Sequence, residues 1–119
     1  MLCYLKIVYT KIQKYFCIYN ITPTMYSNMS KYLTEFLGTL FFLHVILATG
    51  SALAIGAALA LVIYIGGPIS GGNFNPAVTV MLAAANKMPV SDVAPYIIAQ
   101  IAGGIAAIQL HKVHLALMK

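Results

Sequence analysis

The stretch GGPISGGNFNPAVTV, residues 66–80, is polar and rich in glycine, yet apolar sequence lies on both sides of it. Asn75 followed by Pro76 is typical of a helix start, because Asn caps free N–H groups and Pro at the first helical position has no N–H to lose. The segment 76–86 predicts a helix of about 16 Å, about half of a ~30 Å hydrocarbon core. The stretch therefore predicts a re-entrant loop and half-helix that line a cavity inside a membrane.

The composition places the chain in a membrane. Of the 119 residues, 61% are hydrophobic and 8% are charged, and the mean hydropathy is +0.89. Soluble domains carry about 25% charged residues, so this chain could not cover a globule with polar surface. Residues 36–86 contain no charged side chain at all.

The hydrophobic segments predict three spans. As one helix, residues 33–65 would extend about 50 Å, which exceeds the ~30 Å core, so the chain must turn back near Gly50. A polar break at 87–92 separates the half-helix from the last apolar segment. The predicted fold class is all-α transmembrane, with three membrane-spanning helices plus one re-entrant loop and half-helix. The spans are 33–49, 51–67 and 93–111; the loop and half-helix are 68–86; the half-domain is 31–112, with an extension at 1–30 and a tail at 113–119.

The charges predict an orientation and exclude one class of partner. All seven basic residues are Lys, five on one side of the predicted topology and Lys112 and Lys119 on the other. The positive-inside rule then places the N-terminus in the cytoplasm of an integral, multi-pass membrane protein. Scattered Lys without Arg does not indicate nucleic-acid binding.

The sequence contains no recognisable catalytic motif or metal-binding motif. Cys3 and Cys17 have no His or acidic neighbour, as a metal or redox motif would require. His44 has no second ligand-type residue at helical spacing, which favours a hydrogen-bonded or interfacial role over a metal ligand. Nor is there a nucleophile–base pair or carboxylate pair. We therefore expect no enzyme activity, no catalytic residue, no metal and no cofactor.

The N-terminal segment 1–30 alternates apolar residues with Lys and is rich in Tyr. It lacks the order of a signal peptide, because its basic residues do not precede the apolar core. Two interpretations stay open: an interfacial anchor on the inner membrane surface, or an extension outside the fold with Met29 as the functional start.

Three ordered motifs carry a family resemblance. Residues 70–79, SGGNFNPAVT, resemble the first signature of the major intrinsic protein family, the aquaporins and aquaglyceroporins. Residues 35–39, EFLGT, resemble the opening of the family's first helix, and residues 96–104, YIIAQIAGG, resemble its third helix. The resemblance covers residues 31 to about 112.

The resemblance implies a pore. In the family, two half-helices meet with their positive N-terminal ends at mid-membrane, which repels cations while Asn side chains donate to passing solute. It assigns the donor role to Asn75, in the motif with Pro76 and Ala77. It also implies a ladder of backbone carbonyl acceptors from Gly71, Gly72 and Asn73, where family members often have His instead of Asn73.

Three further residues receive roles from the resemblance. Glu35 and Gln100 are expected to brace the loop backbone by hydrogen bonds, and for Glu35 this is favoured over proton transfer because no second ionisable group lines the pore. Ile55 is the selectivity-filter candidate. An aliphatic side chain there favours glycerol or other small neutral solutes over strict water selectivity.

The length of the chain adds a restriction. Family members contain two inverted repeats, whereas this sequence has one Asn-Pro-Ala and no Arg. We expect an aquaporin-like half-pore for facilitated diffusion of water or small neutral solutes in a lipid bilayer. It would need a second half-channel or a homo-oligomer, a tetramer by resemblance. Identical copies would need dual topology, which the Lys bias opposes. The alternative is a non-conducting protein that assembles with or regulates a full-length channel.

Overall fold

The computed structural model describes residues 27–119, so the predictions for Cys3, Cys17 and most of the extension lie outside the described residues. The described part is helical and has no strand, and three of its helices are long and apolar enough to cross a membrane. The predicted all-α transmembrane fold is therefore confirmed. The helices are α1 (Asn28–Thr49), α2 (Ala52–Ser70), α3 (Pro76–Ala84) and α4 (Val90–Leu117).

The turn between α1 and α2 lies at Gly50. This residue has a φ of 59°, and its N–H donates to the Ile46 carbonyl at 3.1 Å. Ser51 then caps α2, because its hydroxyl oxygen accepts from the Ala54 N–H at 3.4 Å. A left-handed glycine followed directly by a helix cap reverses the chain with almost no loop.

The helix bounds differ from the predicted spans: α1 begins at Asn28 rather than at residue 33, and α2 and α4 differ as well. The second helix does not end at the glycine pair before Pro68 but continues to Ser70, where Gly71 closes it with a φ of 91°. Gly66 stays helical because its missing side chain leaves space for Phe74 and Thr34. The last helix covers 90–117 rather than 93–111, and Pro95 lies inside it as its sixth residue, beyond the N-terminal positions whose N–H groups have no helical acceptor.

Helices α1 and α4 run parallel and approach closely. Near their starts, Lys31 Nζ lies 3.8 Å from Asp92 Oδ2. A Cβ atom on Gly103 would lie 2.5 Å from the carbonyl oxygen of Phe36, so only glycine permits this separation of the backbones. Small residues at such contacts are typical of helix packing in membranes.

The interior of the bundle is unusually polar. Five polar or charged side chains on three helices and the loop are at most 5% exposed, whereas many large apolar side chains point outward. This distribution suits a lipid environment, in which apolar side chains face the lipid chains and polar groups must find hydrogen-bond partners inside the protein. The five buried polar residues are Glu35, Thr39, Asn73, Thr79 and Gln100.

Candidate functional site

The half-helix α3 begins where the sequence predicts. Asn75 has extended backbone angles, and its side-chain Oδ1 accepts the N–H of Ala77 at 2.8 Å. Pro76 occupies the first turn, and the Thr79 N–H donates to the Asn75 carbonyl at 3.0 Å. The Asn75 side chain is exposed, so the N-terminal end of α3 is open to its surroundings.

The loop before α3 is tightly wound. Gly71, Gly72 and Phe74 have φ values of 91°, 68° and 48°, all in the left-handed region. Glycine adopts this region freely, but Phe74 does so only under constraint. Gly71 is exposed, whereas residues 72–74 are buried.

Glu35 of α1 is the centre of the contacts that hold this loop. Its Oε1 accepts from the Ser70 hydroxyl at 2.6 Å and from the Asn73 N–H at 3.0 Å. Its Oε2 accepts from the Phe74 N–H at 2.6 Å and from Gln100 Nε2 at 2.8 Å. The side chain is fully buried, and four donors replace the water that a carboxylate loses on burial.

Thr79 of α3 is a second centre of hydrogen bonds. Its fully buried hydroxyl oxygen accepts from Asn73 Nδ2 at 3.1 Å and from Gln100 Nε2 at 2.8 Å. Asn73 Nδ2 also approaches the sulfur of Met88 at 3.6 Å. Gln100 thus joins the two centres, because the same amide nitrogen donates to Glu35 and to Thr79.

Two more contacts tie the end of α2 to its neighbours. The Tyr96 hydroxyl of α4 donates to the Ser70 carbonyl at 2.6 Å, and the Ser70 side-chain oxygen accepts from the Gly72 N–H at 3.2 Å. The loop is therefore attached to α1 and α3, and the end of α2 to α4, through side chains rather than through a regular ladder of backbone hydrogen bonds.

Phe74 wedges between α1 and α2. A Cβ on Gly66 would lie 2.6 Å from the ring atom Cζ, and a Cβ on Gly38 would overlap the same ring. The ring is 2% exposed and closes the inner end of an apolar groove of about 380 Å³ between the two helices. Packing against two glycines accounts for the constrained backbone of Phe74.

The structure brings most of the predicted site residues together. Glu35 contacts Gln100 and the loop, Gln100 also contacts Thr79 of α3, and residues 71–73 lead directly to Asn75 and α3. Ile55 is different: it lies half-buried in the first turn of α2, whereas the loop follows the last turn of that helix. The helix between Ile55 and Ser70 is about 22 Å long, so this structure places Ile55 away from Asn75.

The sequence reasoning missed four of the residues that build the site: Ser70, Phe74, Thr79 and Tyr96. A signal existed for Phe74, since Gly38 and Gly66 on separate spans leave space for one aromatic ring. No pattern at helical spacing indicated Thr79, because its partners Asn73 and Gln100 come from a loop and from a helix 21 positions away.

These features define an all-α integral membrane protein built around a polar loop and a half-helix. The major intrinsic protein family matches residues 22–118, and the chain belongs to this family. Its members are channels and not enzymes, which agrees with the prediction that this chain is not an enzyme.

The chain is similar to several curated bacterial proteins. It is 50% identical over 88 residues to "Glycerol uptake facilitator protein-like 6" of Lactiplantibacillus plantarum, covering 66% of this chain and 41% of that protein. It is 42% identical over 98 residues to "Aquaporin Z" of Rhodopseudomonas palustris, covering 70% of this chain and 41% of that protein. "Aquaporin Z" of Brucella melitensis is 48% identical over 58 residues, 49% of this chain and 25% of that protein.

The chain thus spans about two fifths of the length of the first two relatives, 41% in each case. No solved structure matches it significantly.

Proposed function

We propose that residues 27–119 form one half of the wall of a channel for facilitated diffusion of water or small neutral solutes such as glycerol. The observation that carries this proposal is the loop of residues 71–75, a polar segment held inside an apolar bundle by the buried Glu35 carboxylate. Irregular backbone at membrane depth is tolerated where protein or a water-filled cavity surrounds it.

The open end of α3 would supply the donor. The Asn75 Oδ1 already accepts the Ala77 N–H. This hydrogen bond orients the side-chain amide so that its donor atom, Nδ2, is available to the oxygen of a passing solute. The N-terminus of a helix also carries about half of a positive charge, which favours oxygen atoms and disfavours cations. Asn75, with Pro76 and Ala77, is therefore the proposed donor site.

The loop would supply the acceptors. The Asn73 side chain is turned toward Thr79 and Met88, so its part in the pore would be played by its backbone carbonyl. The carbonyl groups of Gly71 and Gly72 continue this proposed ladder. Left-handed glycines allow a solute to approach the backbone without meeting a Cβ atom.

Glu35 and Gln100 are proposed to brace this ladder. Without the carboxylate, the N–H groups of Asn73 and Phe74 would be buried without partners, at a cost of about 1–3 kcal/mol each. Four donors on one carboxylate support a bracing role over a proton-transfer role for Glu35.

A complete pore would need a second half-channel with an opposing half-helix, because the N-terminal end of α3 meets no second half-helix within residues 27–119. Similarity to a glycerol uptake facilitator-like protein and to aquaporins supports both glycerol and water as solutes. Ile55 remains the proposed filter residue on α2. We also propose that the N-terminus is cytoplasmic and that the assembled channel is a tetramer.

Osmotic permeability of vesicles tests this function. Vesicles that contain the chain together with a second half-channel should shrink faster in a glycerol or sucrose gradient than vesicles with the chain alone. Asn75→Asp should lower water or glycerol flux or admit cations, since the anionic side chain offers acceptors in place of a donor.

Unchanged flux and cation exclusion in Asn75→Asp would remove Asn75 from this role. Conduction by residues 1–119 alone, at the level of a full-length channel, would contradict the half-channel proposal. Suppression of a co-expressed full-length channel would favour the non-conducting regulator instead.

A further inference from the structure

Four consecutive N–H groups of the loop backbone are held inside the bundle. They belong to residues 71–74 and donate to acceptors on α1 and α2. The first donates to the Gly67 carbonyl at 2.9 Å, the second to the Ser70 hydroxyl oxygen at 3.2 Å, and the last two to the Glu35 carboxylate. Each of these hydrogen bonds sets the orientation of one peptide group.

The same hydrogen bonds orient the carbonyl groups of the loop. No peptide bond in residues 27–119 is cis, and in a trans peptide group the C=O points to the opposite side from the N–H. The N–H groups of residues 72–74 share their peptide groups with the carbonyls of Gly71, Gly72 and Asn73. These three carbonyls are therefore directed away from the acceptors that bind the N–H groups, as the proposed acceptor ladder requires.

The carbonyl of Ser70, one position earlier, has a partner of its own. It accepts the hydroxyl of Tyr96 on α4 at 2.6 Å, and both residues are buried, with Ser70 8% and Tyr96 3% exposed. The N–H of the same peptide group, that of Gly71, donates to α2. Both polar groups of this peptide are thus held, and its carbonyl faces α4.

Neighbouring contacts fix the position of the Tyr96 hydroxyl. The Tyr96 ring meets the Tyr32 ring edge-on, with the ring centres 5.8 Å apart and the planes at 83°. One turn later on α4, Gln100 donates to Glu35 and to Thr79. Helix α4 therefore contacts the end of α2 through Tyr96 and the half-helix α3 through Gln100, on either side of the loop.

We propose that Tyr96 is a positioning residue that ends the acceptor ladder. Its hydroxyl holds the Ser70 carbonyl against α4, so the row of carbonyls offered to a solute begins at Gly71. Tyr96 acts through the peptide group between Ser70 and Gly71 and does not touch the solute itself. The use of the ladder by a solute rests on the proposed channel function, whereas the position of the Ser70 carbonyl can be measured without it.

Removal of the hydroxyl should disturb the first step of the ladder. In Tyr96→Phe the buried Ser70 carbonyl loses its donor, which is unfavourable, so the peptide group between Ser70 and Gly71 should rotate. The Gly72 N–H, which donates to the Ser70 side chain, would be disturbed at the same time. Glycerol has three hydroxyl groups that need acceptors together, so its flux should suffer more than that of water.

The first test measures the Ser70 carbonyl in the full chain in lipid nanodiscs. A ¹³C=¹⁸O label on this carbonyl gives it a separate amide I band in the infrared spectrum. In Tyr96→Phe we expect the band to move to higher frequency, because the carbonyl loses its donor. Hydrogen exchange at the Gly72 N–H should become about fivefold faster, as expected for the loss of one hydrogen bond.

Two further replacements make this result decisive. Tyr64→Phe removes a hydroxyl from a side chain that is 82% exposed, and it should leave the band and the exchange rate unchanged. 3-Fluorotyrosine at position 96 keeps the ring and makes the hydroxyl a stronger donor, so it should move the band to lower frequency and keep exchange slow. It gives a result even if Tyr96→Phe does not fold. A band that responds to neither replacement at position 96 would overturn the proposal.

The second test measures flux in vesicles that contain the chain together with a second half-channel. The ratio of glycerol to water permeability should fall about two- to fivefold in Tyr96→Phe and should not change in Tyr64→Phe. An unchanged ratio in Tyr96→Phe, with the band shifted, would overturn the role of Tyr96 in the ladder. A wild-type assembly that conducts neither solute would contradict the proposed channel function instead, and the infrared band would still decide whether Tyr96 holds the Ser70 carbonyl.

Discussion

The two ends of the α1–α4 pair hold their buried polar side chains by different contacts, hydrogen bonds at one end and ring packing at the other. At the loop, the Glu35 carboxylate accepts four hydrogen bonds and every contact ties a second element to α1. At the other end, the rings of His44, His111 and His114, called the His triad here, pack together and leave the buried Nδ1 atoms of His44 and His111 without partners.

This difference separates a contact made by hydrogen bonds from one made by ring packing. The Glu35 carboxylate accepts from four donors, so its contacts fix the loop in one geometry. The two buried Nδ1 atoms of the histidines, by contrast, make no hydrogen bond that would fix the rings. The same pair of helices thus combines a hydrogen-bonded end, where the proposed pore residues lie, with an end held by ring packing.

The largest expected effect comes from Glu35→Gln. An amide keeps one acceptor oxygen but turns an NH₂ group toward donors, so at least one of the N–H groups of Asn73 and Phe74 loses its partner. We expect the free energy of unfolding to fall by about 3–5 kcal/mol, measured by denaturant titration in detergent micelles.

His44→Gln is the matched change at the other end of α1. It should cost much less at pH 7.5, because Nδ1 of His44 makes no hydrogen bond to lose. Equal losses for the two variants would contradict the contrast between the hydrogen-bonded end and the ring-packed end.

A smaller effect is expected from Gly38→Ala, which tests the Phe74 wedge. The new methyl group would overlap the Phe74 ring, and displacing the ring should cost about 1–3 kcal/mol and disturb the loop. Unfolding midpoints in detergent would measure the loss, and Phe74→Leu should recover part of it by making space.

Gly56→Ala is the control for that substitution. Gly56 lies within α2, and a Cβ atom there would meet nothing within 4 Å. Alanine should therefore be neutral or stabilise the helix by about 0.5–1 kcal/mol. A loss at Gly56 as large as that at Gly38 would argue against the wedge.

The last comparison makes one substitution at both ends, with an expected effect no larger than that of Gly38→Ala. Thr79→Val leaves the donors of Asn73 and Gln100 without their shared acceptor and should cost about 1–3 kcal/mol. Thr49→Val, at the exposed end of α1, removes a hydroxyl that donates to the Val45 carbonyl and accepts the Ser51 N–H. Both hydrogen bonds are exposed, so stability should change by less than about 0.5 kcal/mol. Hydrogen exchange at the Thr79 N–H would show whether the loss is local to α3.

Local chemistry made the start of α3 and the turn at Gly50 predictable. Asn75 and Pro76 act within one turn of helix, and a left-handed glycine acts on its own backbone, so no distant contact is needed. The resemblance also pointed to Glu35 and Gln100, which the structure places in contact with each other. The end of α2 was less predictable, because two glycines and a Pro resemble a loop until a neighbour is known to fill the space at Gly66.

The His triad shows the limit of reasoning along the chain. His44 and His111 are 67 positions apart, and the search for a second ligand at helical spacing around His44 could not find a residue on another helix. Ile55 stays a prediction: the structure places it in the first turn of α2, and its proposed part in the filter depends on residues outside this helix.

The sequence by itself determined that this chain is an all-α membrane protein with three spans, a polar loop and a half-helix, because hydropathy, glycine and helix-capping signals are local. Only the tertiary structure decided what surrounds each buried polar group. It joined Glu35 to residues 35 to 65 positions away and brought three histidines to one point. Such contacts depend on how helices pack, and parallel packing of α1 and α4 at Gly103 is a property of the whole bundle rather than of any one segment.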